Sequence, residues 1–340
     1  MNKDAMIDVK SNASAASESV KVSIIIPVYN AQNSIVATLD SILRAIKSTH
    51  EIILVDDCSS DNTISVIEDY LAQRENIKLI RQEKNQGPGI ARDAGLASAS
   101  GEYTIFFDSD DFMLPNVADN AIAKLEKEKL DVAVTQYNIV YGKAKESIGM
   151  WEGDEKLFEE VRVKHGDILS LKMLPDFLTL TNYPWNKVCR TRFLKDNDIK
   201  FGSLRLHEDI LPHWKILMNA EKIAILNDAI CNYMLCPEGS NVTNNKSQLR
   251  MQCVDAIAEL YDYIKSDKRH DVYTTSFFVF SVNLVDWAKE NIVIDFKSAL
   301  TSKVRDVFLQ SSYSDLQKVF HTNKYIHSKV CEYLVNKKVF

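Results

Sequence analysis

The stretch that decides the fold is "KVSIIIPVYNAQNSIVATLDSILRAIKSTHEIILVDD", residues 21–57. It opens on an apolar, β-branched run, Val22 to Val28, of the kind a strand covered on both faces requires. After a polar turn with Asn33 or Ser34 available as a cap, Ile35, Leu39, Ile42, Leu43 and Ile46 recur at helical spacing. A second apolar run, Ile52 to Val55, then ends in Asp56 and Asp57. Strand, helix and strand joined by short loops form a unit whose two strands lie parallel in one sheet.

The same alternation continues outward. "SDNTISVIEDYLAQ" reads as a helix capped by Asp61, "IKLIR" as a strand, "GIARDAGLASAS" as a small-residue helix, and "EYTIFF" as a strand. "VADNAIAKLEKEK" and "DVAVTQYNIVYG" add one more helix and strand. The expected architecture is α/β, a doubly wound, mostly parallel, Rossmann-like sheet. Ligands bind such sheets at the carboxyl ends of the strands. Three polar clusters fall there: "PVYN", Asp56 with Asp57, and Asp108 to Asp111. Residues 145–240 look irregular and aromatic, and from about 245 the pattern is helical. The expected division is a flexible leader over 1–20, halves at 21–130 and 131–243, and a helical extension over 244–340.

Composition narrows the function. With 46% hydrophobic and 26% charged residues the chain is a packed globular protein. A net charge of −6 argues against a nucleic-acid binder. No apolar run is long enough to span a bilayer, and the first 20 residues lack the apolar core of a secretory signal. The six cysteines are scattered and suggest reduced thiols rather than zinc ligands. The expected location is the cytoplasm. Residues 241–340 hold 14 Lys/Arg against 11 Asp/Glu, so they carry +3 and the remainder −9. That basic tail suits peripheral contact with the inner face of a membrane, or a homo-oligomer; a solvated helical face is the plainer reading.

The turn after the first strand, "PVYNAQNS", has no glycine, and no phosphate-binding loop ending in Lys-Ser/Thr is present. Both absences exclude the usual dinucleotide and P-loop chemistries. The third cluster, "FFDSDDFM" at residues 106–113, crowds Asp108, Asp110 and Asp111 behind two phenylalanines. If the strand runs on, Asp108 and Asp110 share one side of it. A divalent ion held by one or two carboxylates and by substrate phosphates fits this pattern; so, for an isolated Asp-x-Asp, does an Asx-turn. "HED" at residues 207–209 precedes an amphipathic helix with Pro212 in its first turn, where an acidic residue is commonly a cap.

In order and spacing, "VSIIIPVYN", "EIILVDDCSSDNT", "NQGPGIARDAGL" and "GEYTIFFDSDD" resemble the nucleotide-binding half of the inverting GT-A glycosyltransferases of family 2. "PWNKVCRTRFLKDNDIKF", "HEDILPHWKILMNAEKI" and "EGSNVT" resemble the acceptor half of bacterial members. The resemblance covers about residues 21–243 and leaves the helical extension outside it.

What the resemblance implies is a GT-A sheet and sugar transfer from a nucleoside diphosphate, commonly UDP, with Mn²⁺ or Mg²⁺. It assigns the donor to Pro27, Tyr29, Asn30, Asp56, Asp57, Asn85, Gly87, Arg92, Asp108 and Ser109. In this reading Tyr29 packs on the base, Asp57 accepts from a base N–H, and Arg92 reaches a base or phosphate. The metal falls to Asp110 with Asp108. Trp185 and Asn186 shape the sugar and acceptor pocket, and Asp209 is the general base, supported by Glu208. His207 and His213 are read as structural. Relatives carry arginines ahead of the Gly-Ser segment where "NYMLCPEGSNVT" has none; Lys246, Arg190 and Arg192 are the candidates to replace them. The implied setting is synthesis of a bacterial surface polysaccharide, capsule or lipopolysaccharide, with a glycan or lipid-linked glycan acceptor. A sugar-phosphate nucleotidyltransferase and a non-catalytic nucleotide-sugar-binding module are the alternatives. The first would need a Gly-rich, basic loop after strand one, and the second would be expected to have lost the Asp-x-Asp or the Glu-Asp.

Overall fold

The computed structural model describes residues 19–72, 74–141, 146–235 and 245–335. The leader up to residue 18 and the segment 236–244, with "EGSNVT", lie outside them.

The opening unit folds as expected: β1 (Val22–Val28), α1 (Ile35–Ala45) and β2 (His50–Asp56), with β1 and β2 parallel and in register from Val22↔His50 to Val28↔Asp56. β1 and all of β2 after His50 are buried, as their β-branched composition requires. α2 (Thr63–Leu71), β3 (Ile77–Arg81), α3 (Pro88–Ser98) and β4 (Tyr103–Phe106) extend the pattern, with β3 beside β2 and β4 beside β1, all parallel. α3 lies close on β1 because Gly95 has no side chain; a β-carbon there would stand 2.3 Å from Ile25 Cγ2.

Past β4 the sheet is mixed: after β3-β2-β1-β4, the next strands in order are β9 (Lys187–Arg190), β6 (Val132–Tyr141), β10 (Ile223–Leu235) and β5 (Phe112–Met113). β9 is antiparallel to both β4 and β6. β10 runs parallel to β6, and β5 pairs antiparallel with β10. β7 (Glu146–Ile148) and β8 (Ile168–Leu169) add short edges, and α4 (Val117–Glu128) leads into β6. The stretch read as irregular contains α5 (Glu152–Lys164) and α6 (Thr191–Asp196) before α7 (Ile210–Asn219).

Two local expectations are corrected. β4 ends at Phe106, and Ser109 and Asp110 form a turn, so strand alternation does not put Asp108 and Asp110 on one side. α2 begins at Thr63 after the N-cap Asn62; Asp61 sits one residue earlier and accepts the Thr63 N–H at 3.0 Å as an Asx-turn.

After residue 245 the chain is helical: α8 (Gln252–Lys265), α9 (Thr274–Glu290), α10 (Ile294–Phe308), α11 (Tyr313–Thr322) and α12 (Lys324–Val335). Their apolar faces, with Leu260, Phe277, Phe278, Phe308 and Val330, belong to the same buried cluster as the sheet. Among the described residues no helix is long and apolar enough to cross a membrane.

Candidate active site

Because β1, β2 and β4 are parallel, their carboxyl ends lie along one edge, and the three polar clusters follow from those ends. Pro27 is buried inside β1, and Tyr29, just past it, is 50% exposed. Asn30 is tied to the loop after β2: its N–H donates to Ser59 Oγ at 3.0 Å, and its Oδ1 accepts the Ser60 N–H at 2.8 Å. Asp56 accepts the Ser59 N–H at 3.3 Å. Asp57 is buried and accepts the N–H groups of Gln86 and Gly87 at 2.6 and 2.7 Å. In this arrangement Asp57 holds the turn that starts α3; each of its oxygens keeps a further lone pair for a ligand. Gly87 takes φ +96 before Pro88, a conformation that favours glycine. The Asn85 carbonyl accepts from Arg205 Nη2 at 2.7 Å.

The centre of the site is Arg92. It is 4% exposed, and its fork is spent on two carboxylates from distant parts of the chain: Nη2 to Asp108 at 2.7 Å and Nη1 to Glu208 at 2.8 Å. The residue expected to reach a base or phosphate therefore joins the Asp-x-Asp turn to the Glu-Asp segment. Burial opposes its charge, but Asp108 and Glu208 more than restore it and keep Arg92 protonated.

The turn after β4 concentrates negative charge. The Ser109 carbonyl accepts from Thr38 Oγ1 at 3.0 Å, which anchors the turn to α1. Asp110, in that turn, is exposed. Crowding by protein and the adjacent Asp108 push its carboxyl up to about 6. Asp111 is buried, accepts the Met234 N–H at 2.8 Å, and is pushed well above the carboxylate range by burial and by its two neighbours. Among the described residues no three His, Cys, Asp or Glu side chains converge as a complete metal cage. Asp108 and Asp110 are the carboxylates of this turn that could hold a divalent ion, which would take its remaining ligands from substrate phosphates and water. A cation there would also offset the desolvation and the Asp108 repulsion that raise Asp110.

Asp209 occupies the N-cap position of α7 but makes no side-chain capping bond, so the capping role common for an acidic residue there is not the one it plays. Burial and the neighbouring Glu208 push its carboxyl up to about 7, against the opposing charges of Arg92 and Lys187. Glu208 is likewise raised by burial despite Arg92. Trp185 is fully buried, stacked on Tyr183 at 4.5 Å and edge-on to Tyr137 at 5.2 Å, and so packs in the core rather than lining an open pocket. Asn186 is buried beside it and accepts from Lys187 Nζ at 2.8 Å. His213 is buried within α7, and His207 packs against Trp287.

Sequence reasoning left Lys187 without a role. It is buried, donates to the Tyr183 carbonyl at 2.7 Å, and is pushed down to about 8 by burial, with Asp209 among the charges opposing that shift. A lysine inside the apolar run "PWNKVC" was the available signal. Arg205 and Asp93 were missed as well; the Asp93 carboxylate accepts the N–H groups of Phe201 and Gly202 at 2.8 and 3.0 Å. Arg190 is corrected as a substitute phosphate ligand: it pairs with Glu102 opposite the first residue of β4, at the far edge of the sheet. Arg192 is exposed and pairs with Asp196. Of the segment without the diphosphate arginines, Asn232 to Leu235 close β10 and the rest lies outside the described residues. A cavity of about 770 Å³ between α5 and the outer part of β6, lined by Gln136, Asn138, Phe158 and Asn227, contains none of the site residues.

Comparison with known proteins bears on the fold and the family. Residues 23–183 match the model of "Glycosyl transferase family 2". The chain is 31% identical over 229 residues to the poly(ribitol-phosphate) beta-N-acetylglucosaminyltransferase TarS of Staphylococcus aureus, covering 66% of this chain but 37% of that protein. It is 30% identical over 184 residues to the UDP-Glc:alpha-D-GlcNAc-diphosphoundecaprenol beta-1,3-glucosyltransferase WfgD of Escherichia coli, covering 52% of this chain and 71% of that one. The crystal structure of S. aureus TarS 1–349 in complex with UDP-GlcNAc superposes with a TM-score of 0.74 at 24% identity, over 93% of this chain and 89% of that one. The chain thus spans little more than a third of the TarS protein, while its fold follows the TarS 1–349 fragment through both the sheet and the helices. On the strand-end carboxylates, the Glu-Asp segment and these matches together, the chain belongs to glycosyl transferase family 2.

Proposed function

We propose that the protein is a metal-assisted, inverting glycosyltransferase. It moves a sugar from a nucleoside diphosphate donor, UDP foremost, to a hydroxyl of a glycan or lipid-linked glycan in bacterial surface-polysaccharide synthesis. The observation that carries this reading is the Arg92 bridge, which puts the donor-side Asp108 and the acceptor-side Glu208 within one hydrogen bond each of the same guanidinium. The names of the relatives, a UDP-glucose transferase and a polyol-phosphate N-acetylglucosaminyltransferase, support the donor and acceptor classes.

In this mechanism Tyr29 and the loop after β2 receive the base, and Asp108 and Asp110 would hold the divalent ion. When bound, that ion supplies the positive charge that stabilises the departing diphosphate. Asp209, raised toward neutral pH and free of capping, takes the proton from the acceptor hydroxyl as it attacks the anomeric carbon from the face opposite the leaving group. Lys187 and Arg92 stabilise the Asp209 anion until it does so, and Glu208 keeps Arg92 in place.

Calorimetric titration with UDP, with and without Mn²⁺, tests the reading. Binding that strengthens at least about tenfold with the ion is the expected result, and metal-independent or absent UDP binding would sink it.

A further inference from the structure

Residues 201–209 run without regular structure into α7 and end in Glu208 and Asp209. On the sheet side this run is held by Asp93 and by the Arg205–Asn85 contacts. On its other side lies the helical extension. The side-chain carbonyl of Gln252, first residue of α8, accepts the backbone N–H of both Arg205, at 2.9 Å, and Leu206, at 3.0 Å. The next residue, His207, adopts φ +66, a left-handed conformation disfavoured for a residue with a side chain. Its ring stands edge-on to Trp287 of α9, 6.2 Å between centroids, and the Arg250 guanidinium lies 4.4 Å from the same indole. The two helices also grip α7: Trp214 packs on Phe280 at 5.5 Å, and Asn219 Nδ2 donates to the Tyr263 hydroxyl at 2.7 Å.

We propose that the helical extension is a positioning element of the active site, with Gln252 as its positioning residue. One carbonyl oxygen has two lone pairs, and here both are used on successive amides. That fixes the backbone two and three residues ahead of Glu208, and three and four ahead of Asp209, across a strained His207 that persists only where its surroundings hold it. The functional half of this proposal rests on the glycosyltransferase reading; the structural half does not.

The test compares Gln252→Met, which keeps length and loses the acceptor, with Gln252→Glu, which keeps the acceptor. The readouts are hydrogen exchange of peptides spanning residues 201–210, UDP affinity by calorimetry, and kcat and KM for hydrolysis of UDP-GlcNAc with Mn²⁺. In Gln252→Met, exchange in the loop is expected to rise and kcat to fall roughly 10- to 100-fold, with UDP affinity and KM within about twofold. Gln252→Glu is expected to restore both the protection and most of the rate. Trp287→Leu, which removes the ring under His207, is expected to give the same split. Loop exchange at the unmutated rate in both Gln252→Met and Trp287→Leu overturns the proposal, as does a rate loss that Gln252→Glu fails to rescue. If the unmutated protein hydrolyses no UDP-GlcNAc, that result counts against the donor reading, and the exchange data alone decide the positioning.

Discussion

Asp209 carries the sharpest consequences at the level of a single residue. Its carboxyl is raised to about 7 by burial and by Glu208, so the folded protein binds a proton that the unfolded chain releases near 4. The stability this group contributes is present below the unfolded value and is lost as pH rises from about 4 through about 7. Asp209→Asn should therefore stabilise the protein at pH 8 by on the order of 1–3 kcal/mol while abolishing sugar transfer and leaving UDP binding nearly intact. Thermal melts at pH 5 and pH 8 check the first part, since the difference between variant and parent should shrink at the lower pH. For the parent, kcat/KM should rise with pH and level off above about 7, the base being active only when ionised. A flat profile from pH 5 to 8 would take the base role away from this residue. The sequence made Asp209 legible because Glu-Asp just before an amphipathic helix is a local pattern. It gave no sign of the Arg92–Glu208 pair, whose members are 116 residues apart, or of Gln252, 46 residues from the amide it holds. Such partners are chosen by the tertiary fold and leave no trace in spacing.

Among the elements, legibility followed length and periodicity. β1, α1, β2 and α3 repeat their apolar residues over enough positions to declare their type. β9 has four residues and β5 two, and both exist only because neighbouring strands offer them hydrogen bonds. α5 was missed for another reason: its mostly charged sequence buries only Asp154, Phe158 and Val161, too narrow a stripe to stand out. The far end of β2 shows how the sheet is anchored away from the site. Glu51 is buried there and accepts from Ser23 Oγ, the Ser100 N–H and Lys78 Nζ at 2.6–2.7 Å. Burial alone would raise its carboxyl, but these donors win and hold it down to about 2. Its stabilisation is present above the unfolded carboxylate value and is lost as pH falls from about 4.5 toward 2. Glu51→Gln should accordingly cost about 2 kcal/mol in urea melts at pH 7 and much less at pH 3, without altering UDP affinity. Equal losses at both pH values would mean that packing, not charge, sets its contribution.

For the molecule as a whole, sheet and helical extension share one core, and the boundary expected near residue 244 separates sequence patterns rather than independently packed bodies. A chain ending at residue 244 would strip the cover from Trp214 and leave the faces that meet Phe280 and Tyr263 bare. Such a chain should be insoluble or lack a cooperative thermal transition; a sharp melt at the full-length midpoint would show that the extension is dispensable for folding. The place of β9 between β4 and β6 has a further consequence, for the order in which the protein is made. β4 is complete at Phe106, but the strand that covers its open side ends at Arg190, 84 residues later. At the usual rate of about 5–20 residues per second, the nascent chain carries that uncovered, apolar edge for on the order of ten seconds. During that interval the ribosome-bound chain is at its most exposed to chaperones and to mispairing with a neighbouring copy.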